Sequence, residues 1–183
     1  MSATKPVWIF GYGSLMWRPD FPYESSKAAT LHGWARRFWQ YSPDHRGVPD
    51  YPGLVVTLVS EARAMCHGQA FLPAPAYWDE IIEALDHREQ NGYDLLEVEV
   101  EFDDGSVAAG VTYIAGPDNP SFSGPLSELE IVERIATSSG PSGTNREYLE
   151  SLARCLADAG RSDDHVCALS TALAEYMCER VRG

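Results

Sequence analysis

Two short segments of the chain carry residue types that can bind an anion and move a proton. The first is a loop with two glycines, residues 10–15 (FGYGSL), which follows a β-rich run. Glycines after a strand let backbone N–H groups converge on an anion or a developing oxyanion, because no Cβ blocks the approach. A bulge or tight turn explains the spacing equally well. Met16 also stands where a dinucleotide-binding fingerprint would need its third glycine.

The second segment is the end of a predicted helix, where Glu89 follows Asp86 and Arg88. The negative end of the helix macrodipole disfavours a carboxylate by a few tenths to ~1 kcal/mol, which favours a raised pKa. A raised pKa suits a group that must exchange protons near neutral pH. The competing interpretation is an acid without a catalytic role at the helix end, compensated by Arg88.

Two further polar loops are weaker candidates for binding. Residues 140–145 (GPSGTN) lead into a capped helix, so that N–H groups there can bind a carboxylate, although a flexible connection fits as well. Residues 42–47 (SPDHRG) form a polar turn after a strand. Asp44 and His45 invite a catalytic dyad there, which we disfavour because neighbours on a strand point to opposite faces.

Other kinds of catalytic site find little support in the sequence. Ser14 lacks the second glycine of a Gly-x-Ser-x-Gly nucleophile elbow. None of the five histidines has metal-ligand spacing. The sequence therefore predicts no metal site.

The elements that must position these segments are mainly strands in the first two thirds of the chain and helices in the last third. The strand candidates are Val7–Phe10, Phe38–Tyr41, Leu54–Val59 and Cys66–Leu72. Apolar residues at helical spacing predict a helix that starts near Trp78 and ends near Asn91-Gly92. This order predicts an α+β domain with a strand-rich core rather than a doubly wound sheet.

A β-hairpin is predicted over residues 97–114, with its turn at 103–106. Glu97, Glu99 and Glu101 alternate with apolar residues, so they lie on one face of a strand. That spacing favours a solvated sheet face over a catalytic cluster.

Capping boxes predict the starts of two helices in the last third. Ser127 with Glu130 forms the first, and Thr144 with Glu147 forms the second. A third helix is predicted toward the end of the chain, where apolar residues from Val166 to Met177 fall on one stripe.

Composition limits the partners and the compartment. The 183 residues suit one domain over residues 1–183, and the net charge of −13 argues against nucleic acid and anionic membrane surfaces. No apolar run approaches the roughly 20 residues of a membrane span, and residues 1–6 lack the apolar stretch of a signal peptide. Cysteines without close spacing predict buried thiols in a reducing compartment. They are Cys66, Cys155, Cys167 and Cys178.

Four segments, in this order, resemble the blocks of the ChaC-type, glutathione-specific γ-glutamylcyclotransferases. The resemblance spans roughly positions 8 to 175, and such a combination of blocks is specific. The blocks are residues 8–17 (WIFGYGSLMW), 42–47 with Pro52-Gly53, 85–93 (LDHREQNGY), and 139–143 with Asn145, Tyr148 and Leu149.

The resemblance implies a small mixed β-barrel surrounded by helices, and a lyase that needs no cofactor. Its reaction converts a γ-glutamyl peptide to 5-oxoproline and a released amine, which is Cys-Gly when the substrate is glutathione. Glu89 is the implied catalytic acid/base. The implied substrate-binding residues are Gly11, Tyr12, Gly13, Ser14, Leu15, Asn145 and Tyr148.

Two alternatives stay open. The first is a cyclotransferase for other γ-glutamyl amino acids or γ-glutamylamines, for which γ-glutamyl-alanine is a discriminating substrate. A non-catalytic domain that binds small molecules is the alternative from a different class, and the presence of Glu89 in its block argues against it. In each case the expected partner is a small molecule in the cytoplasm, not a nucleic acid or a membrane.

Overall fold

The structure, a computed structural model, describes residues 7–88 and 92–182. The chain divides into two compact units. The barrel unit comprises Met1–Ala35 and Leu58–Asn119, and the helical unit comprises Arg36–Thr57 and Pro120–Gly183. The expectation of one domain over residues 1–183 stays a prediction.

Five strands form a closed barrel in the order β1-β3-β2-β4-β5. Strand β1 runs antiparallel to β3, with Ile9 opposite Phe71, and parallel to β5. The strands are β1 Trp8–Gly11, β2 Tyr23–Ser42, β3 Gly53–Pro73, β4 Asp94–Phe102 and β5 Val107–Ile114. With the helices of the chain, this barrel confirms the predicted α+β class.

The two long strands differ from the sequence expectation. Strand β3 is continuous over 21 residues, whereas the apolar pattern predicted separate strands at 54–59 and 66–72. The intervening residues 60–63 are polar or small and exposed, so they give no alternating signal although they lie in the strand. Strand β2 begins at Tyr23, well before the predicted segment 38–41. Its first six residues, 23–28, are mostly polar and mostly exposed and give no alternating signal.

Helix α1, Trp78–Arg88, confirms the predicted helix and packs against strands β1 and β5 of the barrel. Its Ile81 and Leu85 lie in one apolar cluster with Ile9, Val111 and Tyr113 of β1 and β5. The expected helix end at Asn91 lies outside the described residues. Gly92 adopts φ +78°, the left-handed conformation expected after a helix.

The predicted hairpin is confirmed in β4 and β5, which pair from Asp94 opposite Ile114 to Glu101 opposite Val107. Gly105 in its turn has φ +77°. Glu97 and Glu99 are exposed, and the carboxylate of Glu101 lies 3.0 Å from a ring nitrogen of His32. These glutamates form the solvated face that their spacing predicted.

The helical unit contains three helices, α2 Glu128–Thr137, α3 Asn145–Asp158 and α4 Asp164–Arg182. Both predicted capping boxes are present, at the starts of α2 and α3. Two-residue strands, β6 Ser139–Gly140 and β7 Gly143–Thr144, connect these two helices. Within the described residues, no helix has the length and apolar character that crossing a membrane requires.

The four cysteines are free, and Cys66 is buried as predicted. The prediction of buried thiols is wrong for Cys167 and Cys178, which are exposed on α4. They lie eleven residues apart, about three helical turns, and so share one face of that helix. The amino-acid type of a cysteine does not show whether it lies on this exposed face of α4 or on the buried apolar face.

A buried polar cluster anchors the start of α4. Arg36 is 1% exposed and donates a 2.7 Å hydrogen bond to Asp163. The ring Nε2 of His165 accepts from the backbone N–H of Phe38 at 3.1 Å, so this histidine is neutral. Burial, followed by repulsion from Arg37, lowers the pKa of His165 from 6.5 to about 4.

This cluster predicts a pH-dependent loss of stability. The unfolded chain binds a proton at His165 below pH 6.5, whereas the folded chain resists it until about pH 4. The free energy of unfolding should therefore fall across that window, by on the order of 3 kcal/mol from this group. His165→Gln keeps an acceptor for Phe38 but does not titrate, so its unfolding curve should depend less on pH. Denaturant titrations from pH 7 to pH 4 compare the two proteins, and parallel pH profiles would refute this role of His165.

Candidate active site

The glycine loop of the first block is compact and closely packed. The hydroxyl of Tyr12 donates to the backbone carbonyl of Tyr113 at 2.7 Å, and Leu15 is buried. A Cβ on Gly11 would lie 2.7 Å from the Cβ of Leu15, so this position requires glycine. A 3₁₀ turn, Ser14–Met16, ends the loop.

This turn leaves backbone donors available to a ligand. The N–H groups of Met16 and Arg18 donate to the carbonyls of Gly13 and Ser14. In the described part of the chain, the N–H groups of residues 13–15 have no acceptor. The first N–H groups of a helical turn have no partner within the turn, so they can receive a carboxylate or an oxyanion.

Arg88, the last described residue of α1, holds this loop. Its Nη2 donates to the Oγ of Ser14 at 2.7 Å, and its Nη1 donates to the carbonyl of Arg18 at 2.9 Å. Nη1 also lies 3.4 Å from the carboxylate of Asp20. The first and third blocks of the sequence therefore meet at a single guanidinium group.

Tyr113 provides a second connection between the loop and α1. Its hydroxyl donates to the carboxylate of Asp86 at 2.5 Å, while its backbone carbonyl accepts from Tyr12. The sequence predicts Tyr113 only as part of the hairpin over residues 97–114. The signal for its role was a tyrosine near the end of a buried strand, where the hydroxyl needs a partner.

Glu89 lies outside the described residues, as the next residue after Arg88 in the chain. Its assignment as the catalytic acid/base stays a prediction. The side chain of Arg88, the residue immediately before Glu89, is hydrogen-bonded to the glycine loop.

The second and fourth blocks meet in the helical unit, where glycines allow backbone to approach backbone. A Cβ on Gly47 would lie 2.5 Å from the carbonyl carbon of Pro52 and closer still to the backbone nitrogen of Gly53. A Cβ on Gly140 would overlap the carbonyl of His45. The glycines of these two blocks therefore serve packing, whatever else their loops bind.

Asn145 and Tyr148 hold strand β3 against helix α3. The side-chain amide of Asn145 accepts from the N–H of Leu54 and donates to its carbonyl, both at 2.6 Å. The Tyr148 hydroxyl lies 3.5 Å from the N–H of Val56, and its ring lies 5.6 Å from the guanidinium carbon of Arg46. Both side chains are buried. Their contact with substrate stays a prediction.

His45 joins the same two blocks. Its Nδ1 lies 3.2 Å from the Oγ of Ser142, and its Nε2 lies 3.5 Å from the carboxylate of Asp44. The expectation that Asp44 and His45 point apart is wrong, because β2 ends at Ser42 and the chain then bends. The His45 side chain is 49% exposed, so solvent screens its interaction with Asp44.

Across residues 7–88 and 92–182, no group of three or more His, Cys, Asp or Glu side chains is arranged to hold a metal ion. The described polar groups instead offer hydrogen-bond donors around a loop. Such a site can bind an acidic small molecule and stabilise developing negative charge.

Known proteins resemble this chain over most of its length. The family model described as ChaC-like protein matches residues 7–176. Glutathione-specific gamma-glutamylcyclotransferase 1 from Danio rerio is 40% identical, covering 94% of this chain and 91% of that protein. Gamma-glutamylcyclotransferase 2-3 from Arabidopsis thaliana is 37% identical with the same two coverages, 94% and 91%.

The fold of the chain also matches a solved structure. A crystal structure of a glutathione-specific gamma-glutamyl cyclotransferase from yeast superposes with a TM-score of 0.89, at 32% identity, over 94% of this chain and 97% of that one. The resemblance found in the four sequence blocks and the barrel fold that it implied are both confirmed. The chain belongs to the ChaC-like protein family.

Proposed function

We propose that this chain is a γ-glutamylcyclotransferase, a lyase that converts glutathione to 5-oxoproline and Cys-Gly. The observation that carries the proposal is the match to glutathione-specific relatives across both units, at 40% identity to the Danio rerio protein. The hydrogen bond from Arg88 of α1 to Ser14 of the glycine loop supports the proposal, because it joins the third family block to the first.

In the proposed reaction, the substrate attacks itself. The α-amine of the γ-glutamyl group attacks its γ-carbonyl carbon, a new C–N bond closes the lactam, and the bond to the cysteine nitrogen breaks. Holding the flexible chain folded for this attack contributes several kcal/mol. The N–H groups of residues 13–15 receive the glutamyl end of the substrate, with Gly11 and Tyr12 shaping the loop.

Glu89 carries the protons in this proposal. Its carboxylate accepts a proton from the α-amine during the attack and delivers one to the leaving nitrogen. Glu89 must be ionised at the start, so a moderately raised pKa suits it better than a very high one. No net proton is gained or lost by the enzyme.

Asn145 and Tyr148 remain proposed substrate-binding residues. The amide of Asn145 already bonds Leu54 in both directions, so we expect its contribution to come through the strand residues that it holds. We also propose a single functional domain over residues 1–183, located in the cytoplasm, that binds neither nucleic acid nor membranes. The net charge of −13 and the four free cysteines favour this.

Substrate comparison tests the proposal. Purified protein is incubated with glutathione, γ-glutamyl-alanine or a γ-glutamylamine, and 5-oxoproline is quantified by chromatography. We expect the highest kcat/KM with glutathione. Equal or better turnover of the other compounds would favour a broader cyclotransferase, and binding without turnover of any of them would favour a binding domain.

Turnover is expected to need no metal ion. The sequence contains no His, Cys and carboxylate set at ligand spacing. Exhaustive chelation followed by gel filtration should therefore leave kcat unchanged. Activity that disappears on chelation and returns with a divalent ion would contradict the proposed mechanism.

A further inference from the structure

Arg88 directly precedes Glu89 in the chain, and its guanidinium is hydrogen-bonded to the glycine loop that we propose binds substrate. Its side chain is 21% exposed, and its acceptors include the Ser14 hydroxyl, the Arg18 carbonyl and the Asp20 carboxylate. The ordinary role of an arginine in the last turn of a helix is to interact with the helix dipole and solvent. Here the Arg88 guanidinium instead contacts three oxygen acceptors between Ser14 and Asp20.

The loop is shaped to present those acceptors. Asp20 has φ +56°, the one residue other than glycine with a positive φ in the described chain. This conformation is uncommon, although aspartate tolerates it better than most residues. It keeps the Asp20 carboxylate 3.4 Å from Arg88 and 3.2 Å from Arg18.

We infer that Arg88 is a positioning residue for the cyclisation, fixing the backbone donors of residues 13–15 relative to the start of the Glu89 segment. The inference rests on the proposed function and adds a residue to it. Arg88 contacts the side chain of Ser14, the residue at the centre of the three N–H groups that have no acceptor among the described residues. A movement of Ser14 would therefore reorient the backbone N–H groups of residues 13–15 together.

The chemistry of the group matters as well as its charge. A guanidinium presents donors in a planar fork, so two nitrogens can serve Ser14 and Arg18 at the same time. A lysine ammonium is a point charge on a flexible stem and cannot reproduce that geometry. Arg88→Lys should therefore resemble Arg88→Ala more than the parent protein.

Arg88→Ala is expected to lower kcat for glutathione by about 10- to 100-fold, since misplacing a site by about 1 Å can cost 10²-fold. Added guanidinium ion at millimolar concentration should restore part of that kcat in a saturable manner. Ammonium ion at equal ionic strength should not. Arg63→Ala, at an exposed position of β3 in the same unit, is the matched control and should keep parental kcat and show no rescue.

A double-mutant cycle identifies the contact itself. If Arg88 acts through Ser14, the combined Arg88→Ala, Ser14→Ala variant should be no slower than Arg88→Ala alone. Each kcat is expressed per folded molecule, with the folded fraction taken from thermal melts. If Arg88→Ala does not fold, Arg88→Lys and Ser14→Ala carry the test, and both must lose kcat.

The outcomes separate this inference from the proposed function. If the parent protein makes no 5-oxoproline, the proposed function fails. If the parent is active and Glu89→Gln is inactive, but Arg88→Ala and Arg88→Lys keep kcat within about threefold, only the inference fails. Strictly multiplicative effects of the Ser14 and Arg88 changes, or a lowered kcat that guanidinium does not raise, also overturn it.

Discussion

Glu89→Gln is expected to lower kcat for glutathione by about 10²- to 10⁴-fold, the usual contribution of a positioned acid/base. Glutamine keeps the size and hydrogen-bonding reach of glutamate but exchanges no proton. The sequence predicts Glu89 at the end of a helix, and removing a carboxylate from that position should leave thermal stability unchanged or slightly improve it. The variant should therefore still bind glutathione, melt no lower than the parent and release little 5-oxoproline.

A structural role for Glu89 gives the opposite pair of results. If Glu89 only pairs with a cation such as Arg88, Glu89→Gln lowers the melting temperature and keeps near-normal turnover per folded molecule. Measuring Tm and kcat on one preparation separates the two roles. A kcat within about threefold of the parent would remove Glu89 from the mechanism.

Gly47→Ala is expected to destabilise the helical unit strongly. The new Cβ would lie 2.5 Å from the carbonyl carbon of Pro52 and even closer to the nitrogen of Gly53. Real Cβ atoms essentially never approach other atoms within 3.0 Å, and both neighbours here are backbone that cannot rotate away. We expect destabilisation of at least ~3 kcal/mol, at the high end for overpacking.

Gly116→Ala is the matched control for this change. Gly116 has open space around the Cβ position and no positive φ, so alanine should fit without strain. Circular dichroism melts and the soluble yield compare the two variants. A Gly47→Ala protein that melts within a few degrees of the parent would show that residues 42–53 adjust easily, and that the close approach of Gly47 to Pro52 and Gly53 is dispensable.

Local rules explain which parts of the fold the sequence predicted. The capping boxes at Ser127 and Thr144 and the hairpin at 97–114 depend on residues within a few positions of each other, and all are present. The full length of β2 and β3 depends on partner strands far away in the chain. Exposed strand residues such as 60–63 carry no alternation, so that length was not predictable from pattern.

The same distinction holds for the candidate site. The glycine loop and Glu89 were identified from their residue types and from the resemblance of their blocks. The hydrogen bond from Arg88 to Ser14 joins residues 74 positions apart, and the one from Tyr113 to Asp86 spans 27 positions. Neither pair has a spacing that indicates contact. The packing of α1 against β1 and β5 brings these residues together.

Isotope labelling tests the proposed cyclisation most directly. The purified protein is incubated with glutathione in water enriched in ¹⁸O, and the products are identified by mass spectrometry. Attack by the substrate's own amine predicts equal amounts of Cys-Gly and 5-oxoproline, with no ¹⁸O in the 5-oxoproline. Glutamate that carries one ¹⁸O atom would show that water attacks the γ-carbonyl, and the chain would then be a hydrolase rather than a cyclotransferase.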